Sequence, residues 1–178
     1  MLASNAPRRV IESLLAVDVS FFKHDEAKRI CGWEAVRGKR TRVPGALMGY
    51  GTDLPHDLAQ YVVEAATGYE HGFWGLVAAG ATFRSMRRRS TKPGREVIAA
   101  HRAELVHSED LANAHLASWR AGETNTVTVA LDDALRKWRL LSCGDRLVFE
   151  WPTAIGRIER PATSYVSDCH SAMTRNRS

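Results

Sequence analysis

The hydrophobic period switches twice along this chain, and the switch limits its fold more than any other feature. Val17, Val19 and Phe21 alternate with Asp18, Ser20 and Phe22, nearly the two-residue period of a half-buried strand. His24-Asp25-Glu26 reads as a polar turn. Residues 29–37 read as the return strand, with Cys31, Trp33 and Ala35 on one side and Ile30, Gly32, Glu34 and Val36 on the other. Gly38-Lys39 breaks it, and Val43-Pro44-Gly45 and Gly49-Tyr50-Gly51 punctuate a loop. From about residue 54 the period lengthens to that of a helix. It returns to two only at 146–151, where Leu147, Phe149 and Trp151 share a side.

Strands first, helices in the middle and a strand last predict an α+β fold rather than alternating βαβ units. The expected architecture is a small antiparallel sheet, the N-terminal hairpin plus the late strand, packed on one face against four or five helices. The first helix is expected near residue 54, with Asp53 as cap, Pro55 in the first turn and Asp57 opposing the dipole. Leu58, Tyr61, Val62 and Ala65 form its stripe and Gly68 ends it. Gly72-Phe-Trp-Gly75 opens a short helix over Leu76 to Ala79, stopped by Gly80, that is apolar all round and therefore predicted buried. Val97, Ile98, His101 and Leu105 form a further stripe. Ser108 followed by Glu109-Asp110 reads as a new helix start, with Leu111, His115 and Trp119 as its stripe. The last helix is predicted over 126–141, and Trp138, Leu135 and Leu131 join Phe149 in the expected core.

The chain has 178 residues, enough for one domain. The expected layout is an N-terminal segment 1–15, a domain 16–159 and a disordered tail 160–178 that is polar and without period. No apolar run matches a secretory core: Glu12 and Asp18 interrupt the first 20 residues. The longest apolar stretch, residues 73–81, is far short of the roughly 20 residues of a membrane span. A cytoplasmic protein with no membrane partner is expected. Cys31, Cys143 and Cys169 show no C-x-x-C spacing, so neither a zinc knuckle nor a dithiol redox centre is encoded locally, and each reads as a buried hydrophobe or a tail thiol. No metal is expected, since no cysteine pair and no complete His/carboxylate set stands at ligand spacing, and no cofactor is expected, with G-x-S-x-G, G-x-x-x-x-G-K-[ST] and G-x-G-x-x-G absent.

Three polar clusters are candidates for function. His56, Asp57 and Glu64, with Gln60, share one side of the first helix by i, i+3 and i+4 spacing. An imidazole beside carboxylates suits general acid–base chemistry, so His56, Asp57 and Glu64 are the candidate catalytic set of a small hydrolase. The ordinary reading is a solvated helix face. His101 and His115 each lie seven residues from Ser108. A helical hairpin turning there would bring them level near Glu104 and Glu109 as a divalent-metal set. The ordinary reading is packing, because no third ligand stands at firm spacing. The third cluster is electrostatic. The net charge is +5, yet residues 84–95 alone carry six cations and no acid: Arg84, Arg87, Arg88, Arg89, Lys92 and Arg95. Ser90, Thr91, Pro93 and Gly94 make this stretch an expected loop. Arginine forks match phosphate oxygens, and Arg87, Arg88, Arg89, Lys92 and Arg95 are the candidate anion-binding residues. Arg37, Lys39, Arg40 and Arg42 would extend the patch if the fold brought them near. Nucleic acid or another polyanion is the candidate partner.

Leu54-Pro-His-Asp-Leu58, Val63-Glu64, Gly72-Phe-Trp-Gly75 and Ala79-Gly-Ala81 together resemble a family of small bacterial proteins with no assigned activity. Trp138, Gly144 and residues 147–152 extend the likeness over 16–152. The resemblance implies a compact bacterial domain. It transfers no chemistry, and Gln60 stands where the pattern carries a histidine. The expected function is therefore a non-catalytic interaction or regulatory domain with an anion-binding basic face, with the small hydrolase as alternative.

Overall fold

The computed structural model describes residues 17–38, 41–86 and 90–161. Its sheet contains β1 (Val17–Asp25), β2 (Ile30–Arg37), β3 (Thr41–Pro44), β4 (Met48–Gly49), β5 (Arg146–Trp151) and β6 (Arg157–Glu159). The order is β3-β2-β1-β5-β6, with β4 also pairing β2, and every pairing is antiparallel. Between β4 and β5 run five helices: α1 (His56–Thr67), α2 (Phe73–Ala78), α3 (Lys92–Ala100), α4 (Arg102–Arg120) and α5 (Thr126–Leu140). This is the α+β architecture expected from the change of period. The N-terminal segment 1–15 and all but the first two residues of the 160–178 tail lie outside the described residues.

Register explains why one face of the sheet is the core. Phe21 stands opposite Trp33 on one side and Leu147 on the other, and Val19 lies between Ala35 and Phe149. Opposed residues in a ladder share a face, so the alternating apolar sets of three strands combine into one buried surface. The opposite face carries a polar chain: Arg146 donates to Ser20 Oγ at 2.9 Å and approaches Glu34 at 3.4 Å, and Arg42 pairs with Glu34 at 3.2 Å. The turn of the hairpin lies at 26–29, slightly later than expected, because a bulge between Lys23 and Asp25 leaves His24 out of register.

The helices lie against the apolar face through a cluster of rings. Trp74 contacts Phe21, Trp33 and Tyr61 with centroids 5.4, 4.8 and 5.3 Å apart. α1 packs on α4 and α5. Leu131, Trp138 and Phe149 are buried, while Leu135 is half-buried. Gly68 closes α1 as expected, in the left-handed conformation at φ 68°. Asp53, the expected cap of α1, instead accepts from Arg120 Nε at 3.3 Å, and α1 begins after Pro55 without a side-chain cap.

Several elements differ from the sequence expectation: β3 and β4 form where the sequence predicts a loop, β6 adds a strand after the late one, and the helices depart at two places. The basic stretch is not wholly loop: α3 begins at Lys92, because Thr91 Oγ1 accepts from the Gly94 N–H at 3.2 Å and Pro93 occupies the first turn. α4 runs unbroken through Ser108, which is buried and donates to the Leu105 carbonyl at 2.9 Å. A serine hydroxyl can bond one turn back and stay inside a helix. There is thus no hairpin at Ser108. His101 and His115 stand at the start and in the second half of one helix, separated by roughly 21 Å of helical rise.

Candidate anion-binding groove

The motif residues on α1 and α2 form a buried polar knot rather than a solvated face. Gln60 and Glu64 are 3% and 0% exposed. Glu64 accepts the backbone N–H groups of Phe73 and Trp74, both at 2.9 Å, and the Gln60 amide at 3.0 Å. Gly72 is required beside this carboxylate: a Cβ there would lie within 2.6 Å of both Glu64 oxygens. Gly75 likewise leaves no room for a Cβ against the Glu70 carbonyl. Trp74 Nε1 donates to the Asp57 carbonyl at 3.1 Å, and Trp33 Nε1 donates to Asp57 Oδ2 at 2.7 Å. Burial pushes the Glu64 carboxyl up to about 7, against the pull of the Trp74 and Phe73 N–H groups and of the Gln60 amide.

His56 and Asp57 do come together. His56 Nδ1 lies 3.5 Å from Asp57 Oδ1 at the exposed start of α1. The Asp57 hydrogen bond raises the imidazole pKa against the opposing effect of burial. Glu64 does not join them. It lies about two turns, or roughly 10 Å of helical rise, further on, and its oxygens are occupied by the start of α2.

The basic stretch builds a different kind of site. Thr82 Oγ1 accepts the Thr91 N–H at 3.0 Å, and the Ser90 hydroxyl donates to the Thr82 carbonyl at 3.5 Å. These bonds hold the start of α3 beside residues 82–84. Between that segment, α3 and the first turns of α4 lies a groove of about 840 Å³. Its apolar wall is Phe83, Ile98, Leu105 and Val106, the last 58% exposed. Arg84, Arg95 and Arg102 also line it, together with Thr82 and Ser90. Arg95 donates to Ser90 Oγ at 3.4 Å. Among the described residues no carboxylate lines the groove, and none of the three arginines forms an ion pair.

Of the candidate anion-binding residues, Arg95 lines this groove. Lys92 sits on α3 and faces Glu96 at 3.9 Å. Arg87, Arg88 and Arg89 lie outside the described residues, as do Lys39 and Arg40. Arg42 is committed to Glu34 on the outer face of the sheet. Sequence reasoning missed Arg102, which stands beyond the basic stretch in sequence and joins Arg84 and Arg95 only in the lining of the groove. Cys31 is a buried free thiol, and burial, the larger effect, with the Asp57 charge raises its pKa to about 11. Cys143 is exposed and disulfide-bonded, not the buried hydrophobe or tail thiol expected. No helix among the described residues is long and apolar enough to cross a membrane.

Comparison with protein-family models, with curated proteins and with solved structures gives no match.

Proposed function

We propose that this is a non-catalytic binding protein whose groove takes an amphiphilic anion, with a carboxylate or phosphate head and an apolar body. The observation that carries this reading is the set of Arg84, Arg95 and Arg102 around an apolar wall with no carboxylate in the lining. Guanidinium groups with no ion pair among the described residues present planar forks to oxygen anions. Phe83, Ile98 and Leu105 supply contact for an apolar body, and the volume suits a small ligand. The L-P-H-D-L, V-E and G-F-W-G segments support a structural role for the resembled motif, since Glu64 accepts the Phe73 and Trp74 N–H groups and the Trp74 indole donates to the Asp57 carbonyl. Gln60 keeps the donor to Glu64 that a histidine N–H at that position would supply.

Calorimetric titration with decyl phosphate and decanoate below their micelle concentrations, with decanol as the neutral control, tests the proposal. Both anions bind and decanol does not. Arg84→Ala, Arg95→Ala and Arg102→Ala each weaken binding by about tenfold, as expected when one charge-assisted hydrogen bond is lost. Melting temperatures stay close to wild type, because all three side chains are exposed. Equal affinity for decanol and decyl phosphate overturns the anion reading. Displacement by a single-stranded oligonucleotide, with a steep salt dependence, identifies the head as a nucleic-acid phosphate.

One observation favours the hydrolytic alternative: the exposed His56–Asp57 pair, whose carboxylate is oriented by Trp33. Ester turnover that disappears in His56→Ala while the groove variants keep it would carry that reading instead.

A further inference from the structure

We propose that His71, His101 and Glu104 form a binding site for a first-row divalent transition metal, zinc foremost. His71 lies between α1 and α2, His101 links α3 to α4, and Glu104 is in the first turn of α4. One ligand atom from each lies within 4.8 Å of the others. The two imidazole rings stack at 4.3 Å, 20° from parallel, and His101 Nδ1 is 3.4 Å from Glu104 Oε1.

Three features make this more than a surface ion pair. The donors are two imidazoles and one carboxylate, the mixture that suits zinc and its neighbours rather than calcium or magnesium. The spacing is nearly closed: ligands at about 2.1 Å from a tetrahedral ion stand about 3.4 Å apart, so side-chain rotation alone brings the set together. The loop bearing His71 is also held at both ends. Tyr69 donates to the Glu104 carbonyl at 3.1 Å on one side, and Glu64 grips the Phe73 and Trp74 N–H groups on the other. The positive end of the α4 dipole opposes a cation here, and the Glu104 carboxylate offsets it. Three protein ligands leave a fourth position to water or an incoming donor. The His101–His115 pairing considered from sequence has no counterpart, because α4 is straight through Ser108. His71, from a segment about 30 residues earlier in the chain, takes the second imidazole position.

The full-length, untagged chain titrated with zinc chloride by calorimetry, and with cobalt(II) by visible absorption, tests the site. Zinc binds at one equivalent, and cobalt develops the intense absorption bands of a tetrahedral nitrogen–oxygen site. His71→Ala, His101→Ala and Glu104→Gln each lower zinc affinity by about tenfold or more and abolish the cobalt bands, while exposed His24→Ala changes neither. Circular dichroism identifies any variant that unfolds, and His71→Gln, which keeps the side-chain bulk, replaces it in the comparison. Undiminished zinc binding by folded His71→Ala or His71→Gln, or cobalt bands unchanged in Glu104→Gln, overturns the proposal. So does the lack of zinc binding by wild type. Binding of anions in the groove is measured separately, so either result stands without the other.

Discussion

Trp74→Ala lowers the stability of the domain by about 4 kcal/mol, the upper part of the range for a fully buried aromatic. Trp74 is 1% exposed and meets Phe21, Trp33, Tyr61 and Phe73 edge-on, so truncation leaves a cavity bounded by rings that belong to both layers. Such rings cannot collapse inward without moving the sheet or α1, and residual cavity volume is what makes these substitutions expensive. The Asp57 carbonyl also loses its indole donor. Urea unfolding followed by far-UV circular dichroism measures the effect through the midpoint at constant slope. A loss below about 1 kcal/mol would mean that Trp74 is not buried as described.

Glu64→Ala has a comparable effect for a polar reason. It leaves the Phe73 and Trp74 N–H groups and the Gln60 amide without their acceptor, and each orphaned buried donor costs about 1–3 kcal/mol. A loss of about 3 kcal/mol or more is expected. The wild-type carboxyl adds a pH signature. Its folded pKa, about 7, lies above the ordinary 4.5, so between those values the unfolded chain has released a proton that the folded protein keeps. Stability therefore falls as pH rises from about 4.5 to about 7, by about 3 kcal/mol in all, and is level for this group outside that window. Glu64→Gln cannot ionise and removes this slope. Urea melts at pH 4.5, 5.5, 6.5 and 7.5 compare the two proteins. Parallel curves would show that Glu64 is not held protonated across the window.

The sheet was legible because each of its main strands carries its own two-residue pattern, and antiparallel neighbours place those patterns on one face. α5 was legible for the same reason, its apolar stripe from Val127 to Trp138 recurring without interruption. The start of α3 was hidden because Ser90, Thr91, Pro93 and Gly94 read as loop, although Thr91 and Pro93 are also residue types that open a helix. β6 has three residues, too few for a period to show. Ser108 misled because the residue types that start a helix are also tolerated inside one when their hydroxyl bonds backward.

The candidate sites divide along the same line. Residue order alone determined that His56 and Asp57 meet, since they are neighbours at one helix start, and that a basic stretch lies between residues 84 and 95. The hydrophobic pattern determined that Trp74 and Trp138 are core, one in an all-apolar segment and one on a helical stripe. Only tertiary structure decided that Gln60 and Glu64 are buried. A polar helix face reads as solvated until another element covers it, and here α4 packs over it while α2 supplies backbone N–H donors that a carboxylate can accept. The groove around Arg84, Arg95 and Arg102 and the meeting of His71 with His101 and Glu104 were likewise decided in three dimensions. Their residues come from segments separated in sequence, and no local period encodes which helix ends are brought together when the apolar faces of α1, α4 and α5 pack.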